Sequence, residues 1–278
     1  MLAPLKTLAN ECRARHAGLG AFNVIHLENA ETIVGAAEQA ELPVVLQISE
    51  NAVKFHHGDL EPLALATLAI ARRSSARVGV HLDHAQDLAL IRQAIGLGFT
   101  SVMYDGSHLP EEENRATTAQ VAHWAHDAGV TIEAELGEVG GKDGAHAPGV
   151  RTSPEEASRF VADTDVDLLA VAIGSSHAMT TRDARIDLDL IRALASAVPV
   201  PLVLHGSSGV SDENMRLAIR AGMTKINVST HLNKVFTDTV KVTLADRPEV
   251  VDSRKWTGPA NEAMLQEVAR LLTQYQAA

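Results

Sequence analysis

A single cysteine, Cys12, in a chain of 278 residues excludes an intrachain disulfide and any metal site built on paired thiolates. Aromatic side chains are scarce, 3% of the total, while Ala, Leu, Val and Ile abound, which suits helices packed on strands. Positive charge is also in deficit. The net charge is −11 at pH 7, which argues against binding to a phosphate backbone. No apolar run reaches the roughly 20 residues that span a bilayer. The first eight residues carry Lys6 inside their apolar part and show no cleavage-site pattern, so they do not read as a signal peptide, and a cytoplasmic location is expected.

What remains is a chain with 46% hydrophobic residues, in which short apolar runs alternate with stretches of helical period. Strand-like runs fall at 21–25, 43–48, 78–82, 100–104, 129–135, 167–173, 201–204 and 224–228. Helical stretches separate them, and 248–276 forms a terminal helical extension. Ser153, followed by Pro154, Glu155 and Glu156, reads as a helix start, as does Ser211 before Asp212 and Glu213. Eight strands in alternation with helices predict a single-domain α/β protein, a (β/α)8 TIM barrel spanning 1–278. An open doubly wound sheet fits less well, because the GxGxxG fingerprint after the first strand is missing.

In such a barrel every strand ends at one mouth, where the chemistry is kept. The polar groups gathered there are Asn23, Ser49, Asp83, His84, Asp105, Ser107, Glu135, His177, His205, Gly206, Ser208, Asn227, Ser229 and Thr230. One histidine among thirteen is more often solvated than ligating. Three at strand tips of one barrel, His84, His177 and His205, are a ligand set for catalytic zinc. The segments His205-Gly-Ser-Ser-Gly209 and Asn227-Val-Ser-Thr230 each precede a helix, an arrangement suited to a phosphate group.

At four places the residues resemble a known family, the class II, zinc-dependent ketose-bisphosphate aldolases. These are His81-Leu-Asp-His-Ala85, Tyr104-Asp-Gly-Ser-His-Leu-Pro-Glu-Glu-Glu-Asn114, Glu133-Ala-Glu-Leu-Gly137 and Leu204-His-Gly-Ser-Ser-Gly209. The resemblance implies reversible cleavage of fructose 1,6-bisphosphate, or of tagatose 1,6-bisphosphate, to dihydroxyacetone phosphate and glyceraldehyde 3-phosphate through a zinc-stabilised enediolate. It implies zinc on His84, His177 and His205, with Asp105 and Glu135 near an alternative metal position, where they would orient the ligand histidines. Asp83 would exchange a proton with the aldehyde oxygen. Gly206, Ser208, Ser229 and Thr230 would hold the ketone-side phosphate beside a monovalent cation (Na+ or K+), Asn227 would contact the enediolate, and Asn23 and Ser49 match substrate-pocket positions. A homodimer or homotetramer is implied as well.

Two positions depart from the family pattern. The loop after the fifth strand reads Gly140-Gly-Lys-Asp-Gly144 where the family carries a glutamate pair, which makes Asp143 the candidate for moving the carbon-bound proton and Glu138 the fallback. Ala178 stands where many members have glycine; it keeps the backbone N–H but restricts φ. Two other readings differ in class, a metal-free isomerase or Schiff-base aldolase and a non-catalytic binding protein, and a third, an aldolase of another phosphorylated keto-sugar acid, changes only the substrate. The Schiff-base reading would need Lys225, the one lysine in a strand, which the sequence places near the start of its strand and away from the mouth.

Overall fold

The computed structural model describes residues 1–137, 151–176 and 179–276. Its centre is a closed barrel of eight parallel strands in sequence order. These are β1 (Leu19–Asn23), β2 (Val44–Ser49), β3 (Val78–Ala85), β4 (Ser101–Tyr104), β5 (Thr131–Leu136), β6 (Leu168–Val171), β7 (Leu202–Leu204) and β8 (Met223–Val228). The helices of the first half are α1 (Leu5–Ala14), α2 (Leu27–Ala40), α3 (Glu50–Phe55), α4 (Glu61–Arg73), α5 (Leu88–Leu97) and α6 (Glu111–Asp127). Those of the second half are α7 (Pro154–Thr164), α8 (Leu188–Ala197), α9 (Asp212–Ala221), α10 (Thr230–Asp246) and α11 (Arg254–Gln276). Pairing of β8 with β1, from Leu19 opposite Lys225 to Phe22 opposite Val228, closes the ring. Among the described residues no helix is long and apolar enough to cross a membrane.

Strand residues alternate between two environments, as a pleated backbone requires. One set, including Phe22, Val44, Leu46, Ile48, Val80 and Leu82, packs beneath the helices in the large core. The other set fills the barrel. At its lower end Leu19, Ala21, Val45, Leu168, Ala170 and Val203 meet Leu5, Leu8 and Cys12 of α1, which closes that end with apolar atoms. Higher up the same parity delivers Gln47, His81, Asp83, Glu133, Glu135, Lys225 and Asn227, all buried. The barrel interior is thus greasy at one end and ionisable at the other.

Local sequence accounts for most helix starts. Ser153, Asp187 and Ser211 cap α7, α8 and α9 by accepting from the backbone N–H groups of Glu156, Leu190 and Asn214. Two differences from the sequence reading have physical causes. The expected first strand, 21–25, runs instead from Leu19 to Asn23, with Gly20 inside it as a packing residue. A Cβ there would lie 2.9 Å from Leu272 Cδ2 of α11. The third strand does not stop at residue 82 but runs through Asp83 and His84 to Ala85, across a register shift against β4. The short helix α3 was not read from the sequence at all. Its N-cap is Ser49, whose side chain accepts from Ala52 N.

Candidate functional site

The irregularity in β3 creates the site. His84 adopts φ 49°, a left-handed conformation uncommon for a residue with a Cβ, within the shifted register between Leu82 and Ala85. Asp83 Oδ1 accepts from Asn227 Nδ2 at 3.3 Å, and Asp83 Oδ2 from Gln47 Nε2 at 3.5 Å. Gln47 Nε2 also donates to Asn23 Oδ1 at 2.7 Å. One hydrogen-bonded row therefore ties together β1, β2, β3 and β8.

His84 faces two acids. Its Nδ1 lies 2.8 Å from Asp105 Oδ2 and 3.8 Å from Glu135 Oε2. Asp105 Oδ1 in turn accepts from the Ser107 hydroxyl at 2.7 Å. A carboxylate only accepts, so we assign the ring hydrogen of His84 to Nδ1, which leaves a lone pair on Nε2. That nitrogen lies 2.7 Å from His205 Nδ1, and the two rings meet edge to face, 4.3 Å between centroids. His205 Nε2 lies 3.1 Å from Glu133 Oε1, again an acceptor, so His205 also turns a lone pair toward His84. Two imidazole lone pairs at this separation repel one another, and a shared cation converts the repulsion into coordination. Asp83, His84 and His205 bring ligand atoms within 4.8 Å of one another, as do His84, Asp105 and Glu135. The donor set of imidazoles and carboxylates suits a divalent transition metal, so the residues present fit one.

Glu133 is fully buried, and burial alone would raise its carboxyl. The Lys225 ammonium, 2.9 Å away, together with the hydrogen bond from His205, reverses that and holds it well below the ordinary carboxylate range. Desolvation, with Lys225 nearby, pushes the fully buried His81 well below the usual imidazole range.

A cavity of about 640 Å³ opens above this cluster. Asn23, Ser49, Asp83, His84, Asp105, Glu135, Gly206, Ser208, Asn227, Ser229 and Thr230 all line it. His205 sits behind the wall, with no exposed surface. Gly206 has φ 65°, and a Cβ there would lie 2.6 Å from the Ser176 carbonyl, so only glycine fits. The Ser207 hydroxyl donates to the Asn227 carbonyl, and Ser208 Oγ accepts from His231 N at 3.2 Å, which joins the turn after β7 to the start of α10. His177 and Asp143, with the fallback Glu138, lie outside the described residues.

The cavity also gathers residues that the sequence reading did not single out. Glu50, Asn51, Lys54 and Phe55 come from the unforeseen α3, and Gln86 and His108 from neighbouring rim segments. Lys225 is not simply remote from the mouth, as its place early in the strand suggested. It is fully buried, one carboxylate away from His205, although it does not line the cavity. The signal for Glu133 and Lys225 was the two-residue period itself: each lies two positions before a residue of the rim, Glu135 and Asn227.

Residues 3–278 match the family model described as fructose-bisphosphate aldolase class-II. The fructose-bisphosphate aldolase of Geobacillus stearothermophilus is 37% identical over 266 residues, covering 95% of this chain and 93% of the relative. The 6-phospho-5-dehydro-2-deoxy-D-gluconate aldolase of Halalkalibacterium halodurans is 34% identical, covering 99% of this chain and 96% of the relative. Among solved structures, the YdjI aldolase of Escherichia coli K12 superposes with a TM-score of 0.85 at 28% identity, covering 99% of this chain and 97% of that one.

Proposed function

The chain belongs to the class II fructose-bisphosphate aldolase family and is an aldehyde-lyase, and from that premise we propose that it reversibly cleaves fructose 1,6-bisphosphate to dihydroxyacetone phosphate and glyceraldehyde 3-phosphate. Tagatose 1,6-bisphosphate, which differs at one carbon, is the paired candidate. The observation that carries the reading is the convergence of His84 Nε2 and His205 Nδ1 beside Asp83 on the floor of a polar cavity.

In this reading His84 and His205, with His177 as third ligand by family resemblance, hold the divalent metal, zinc being favoured by the imidazoles. When bound, the metal acts as a Lewis acid on the ketone oxygen. The protein's own residues manage the protons and the ends of the substrate. Asp83 takes the proton from the hydroxyl on the carbon that becomes the aldehyde, the carbon–carbon bond breaks, and the electron pair stays on the ketone fragment. Asp143 then delivers a proton to that carbon. Gly206, Ser208, Ser229 and Thr230 hold the ketone-side phosphate, where hydroxyls and the α10 N-terminus favour an anion, with Na+ or K+ alongside. Asn227 steadies the ketone fragment, and Asn23 and Ser49 bound the pocket. Asp105 and Glu135 orient His84. The chain acts as one domain in the cytoplasm, and the terminal extension, 248–276, supplies the contact in a homodimer or homotetramer.

A second reading, cleavage of a phosphorylated keto-sugar acid, is supported by the 34% identical relative of that activity. The test is cleavage of each substrate before and after chelation and after zinc is restored, with borohydride in parallel. Cleavage of fructose 1,6-bisphosphate that chelator abolishes, zinc restores and borohydride leaves alone is the expected result. Activity that survives metal removal and dies with borohydride would refute the metal reading, and preference for the keto-sugar acid would move the substrate assignment.

A further inference from the structure

Beneath the cavity lies a tier of charge that the cleavage scheme does not use. Glu133 on β5 and Lys225 on β8 are both fully buried, with Lys225 Nζ 2.9 Å from Glu133 Oε2. Burying such a pair strips both ions of water, a loss that their attraction does not reliably repay, and apolar residues of similar volume fill an interior as well or better. The pair is therefore not explained by stability. Its second contact supplies a reason. The other oxygen, Glu133 Oε1, lies 3.1 Å from His205 Nε2, so one carboxylate spans lysine and histidine across β5, β7 and β8. Asn227 Nδ2 is 3.2 Å from the same ring nitrogen, but an amide nitrogen only donates, so Glu133, which only accepts, is the partner for a hydrogen carried on Nε2. His81, whose Nδ1 lies 2.9 Å from Ser101 Oγ, stands 3.7 Å from Glu133 on the far side and limits its swing.

We infer that Glu133, braced by Lys225, is a positioning residue that accepts the Nε2 hydrogen of His205 and so keeps Nδ1 of that ring aimed at His84. The inference rests on the reading of His84 and His205 as metal ligands. A free imidazole populates both tautomers and turns about its side-chain bonds, whereas a carboxylate fixed at one nitrogen selects one tautomer and one orientation. Lys225 does this without touching the cavity.

Two charge-neutral double variants separate positioning from filling. Glu133→Gln with Lys225→Met keeps an acceptor beside His205; Glu133→Leu with Lys225→Met removes it at nearly the same volume. Zinc affinity is measured by competition with a chromophoric chelator, the cobalt(II) visible spectrum reports ligand geometry, and thermal melting controls for folding. The glutamine form is expected to hold zinc within about threefold of the parent, and the leucine form to lose about 10–100-fold with a shifted cobalt band at a similar melting temperature. A folded leucine form with the parent's zinc affinity and cobalt spectrum would overturn the inference. Nitrogen-15 NMR of the zinc-loaded parent gives a readout free of any variant: the Nε2–H tautomer of His205 is expected, and the Nδ1–H tautomer overturns the proposal. If the parent binds no zinc, or His84→Ala binds it fully, the metal reading itself fails, a result distinct from either of these.

Discussion

Asp83 is held at both oxygens by neutral amides, Gln47 from one side and Asn227 from the other, so its direction is fixed before any substrate arrives. Pre-set geometry of this kind favours proton transfer. Asp83→Asn keeps the shape and removes the basic oxygen. It should lower kcat by roughly 10²–10⁴ while the inhibition constant for dihydroxyacetone phosphate changes by less than about threefold. A kcat within tenfold of the parent, to take about one decade as the line, would remove Asp83 from the proton transfer. Asp143→Ala tests the other proton transfer of the proposed scheme. Exchange of the carbon-bound hydrogen of dihydroxyacetone phosphate with solvent should slow far more than phosphate binding weakens, and unchanged exchange in a deuterium-labelling assay would dismiss Asp143.

At the scale of elements, the turns that place these groups depend on backbone more than on side chains. Gly206 is the sharpest case, left-handed and pressed against Ser176. Gly206→Ala should cost roughly 2 kcal/mol or more, read from the urea midpoint, because strain and a backbone clash add. A variant as stable as the parent would show that the loop around Ser176 yields freely. The alternation of strands and helices was legible in the sequence, and so were the polar tips, since an apolar run ending in Asp-His or His-Gly-Ser is conspicuous. The bulge in β3 was not, because the left-handed turn at His84 is set by β4 and by the acids it faces rather than by its own neighbours. Helix α3 escaped because six residues give too little period to see, and Ser49 read as a strand end when it is also a cap. Glu133 and Lys225 were each visible, one inside a motif and the other as the lone strand lysine, but their pairing was not, because partners across a barrel lie far apart along the chain.

For the whole molecule, the start of α10 is tied to the terminal helix by a chain of charge. His231 Nε2 lies 2.6 Å from Glu267 Oε1, Glu267 pairs with Arg270, and Arg270 with Asp212, which also meets Arg182. Burial would raise the Glu267 carboxyl, but Arg270 and His231 bring it down to about 2 from an ordinary 4.5. A lowered folded value means that the stabilisation is complete above the unfolded value and is lost as pH falls from about 4.5 towards 2. Glu267→Gln should therefore cost about 2 kcal/mol at pH 7 and flatten the acid limb of a stability profile. Equal urea midpoints for variant and parent at neutral pH would discount the link.

The greasy floor that α1 builds under the barrel has a consequence for traffic. Cleavage makes two molecules from one, and with the lower end sealed by Leu5, Leu8 and Cys12 both leave by the doorway through which the substrate came. Entry and both departures therefore share one opening, so either product, while bound, stands in the way of the next substrate.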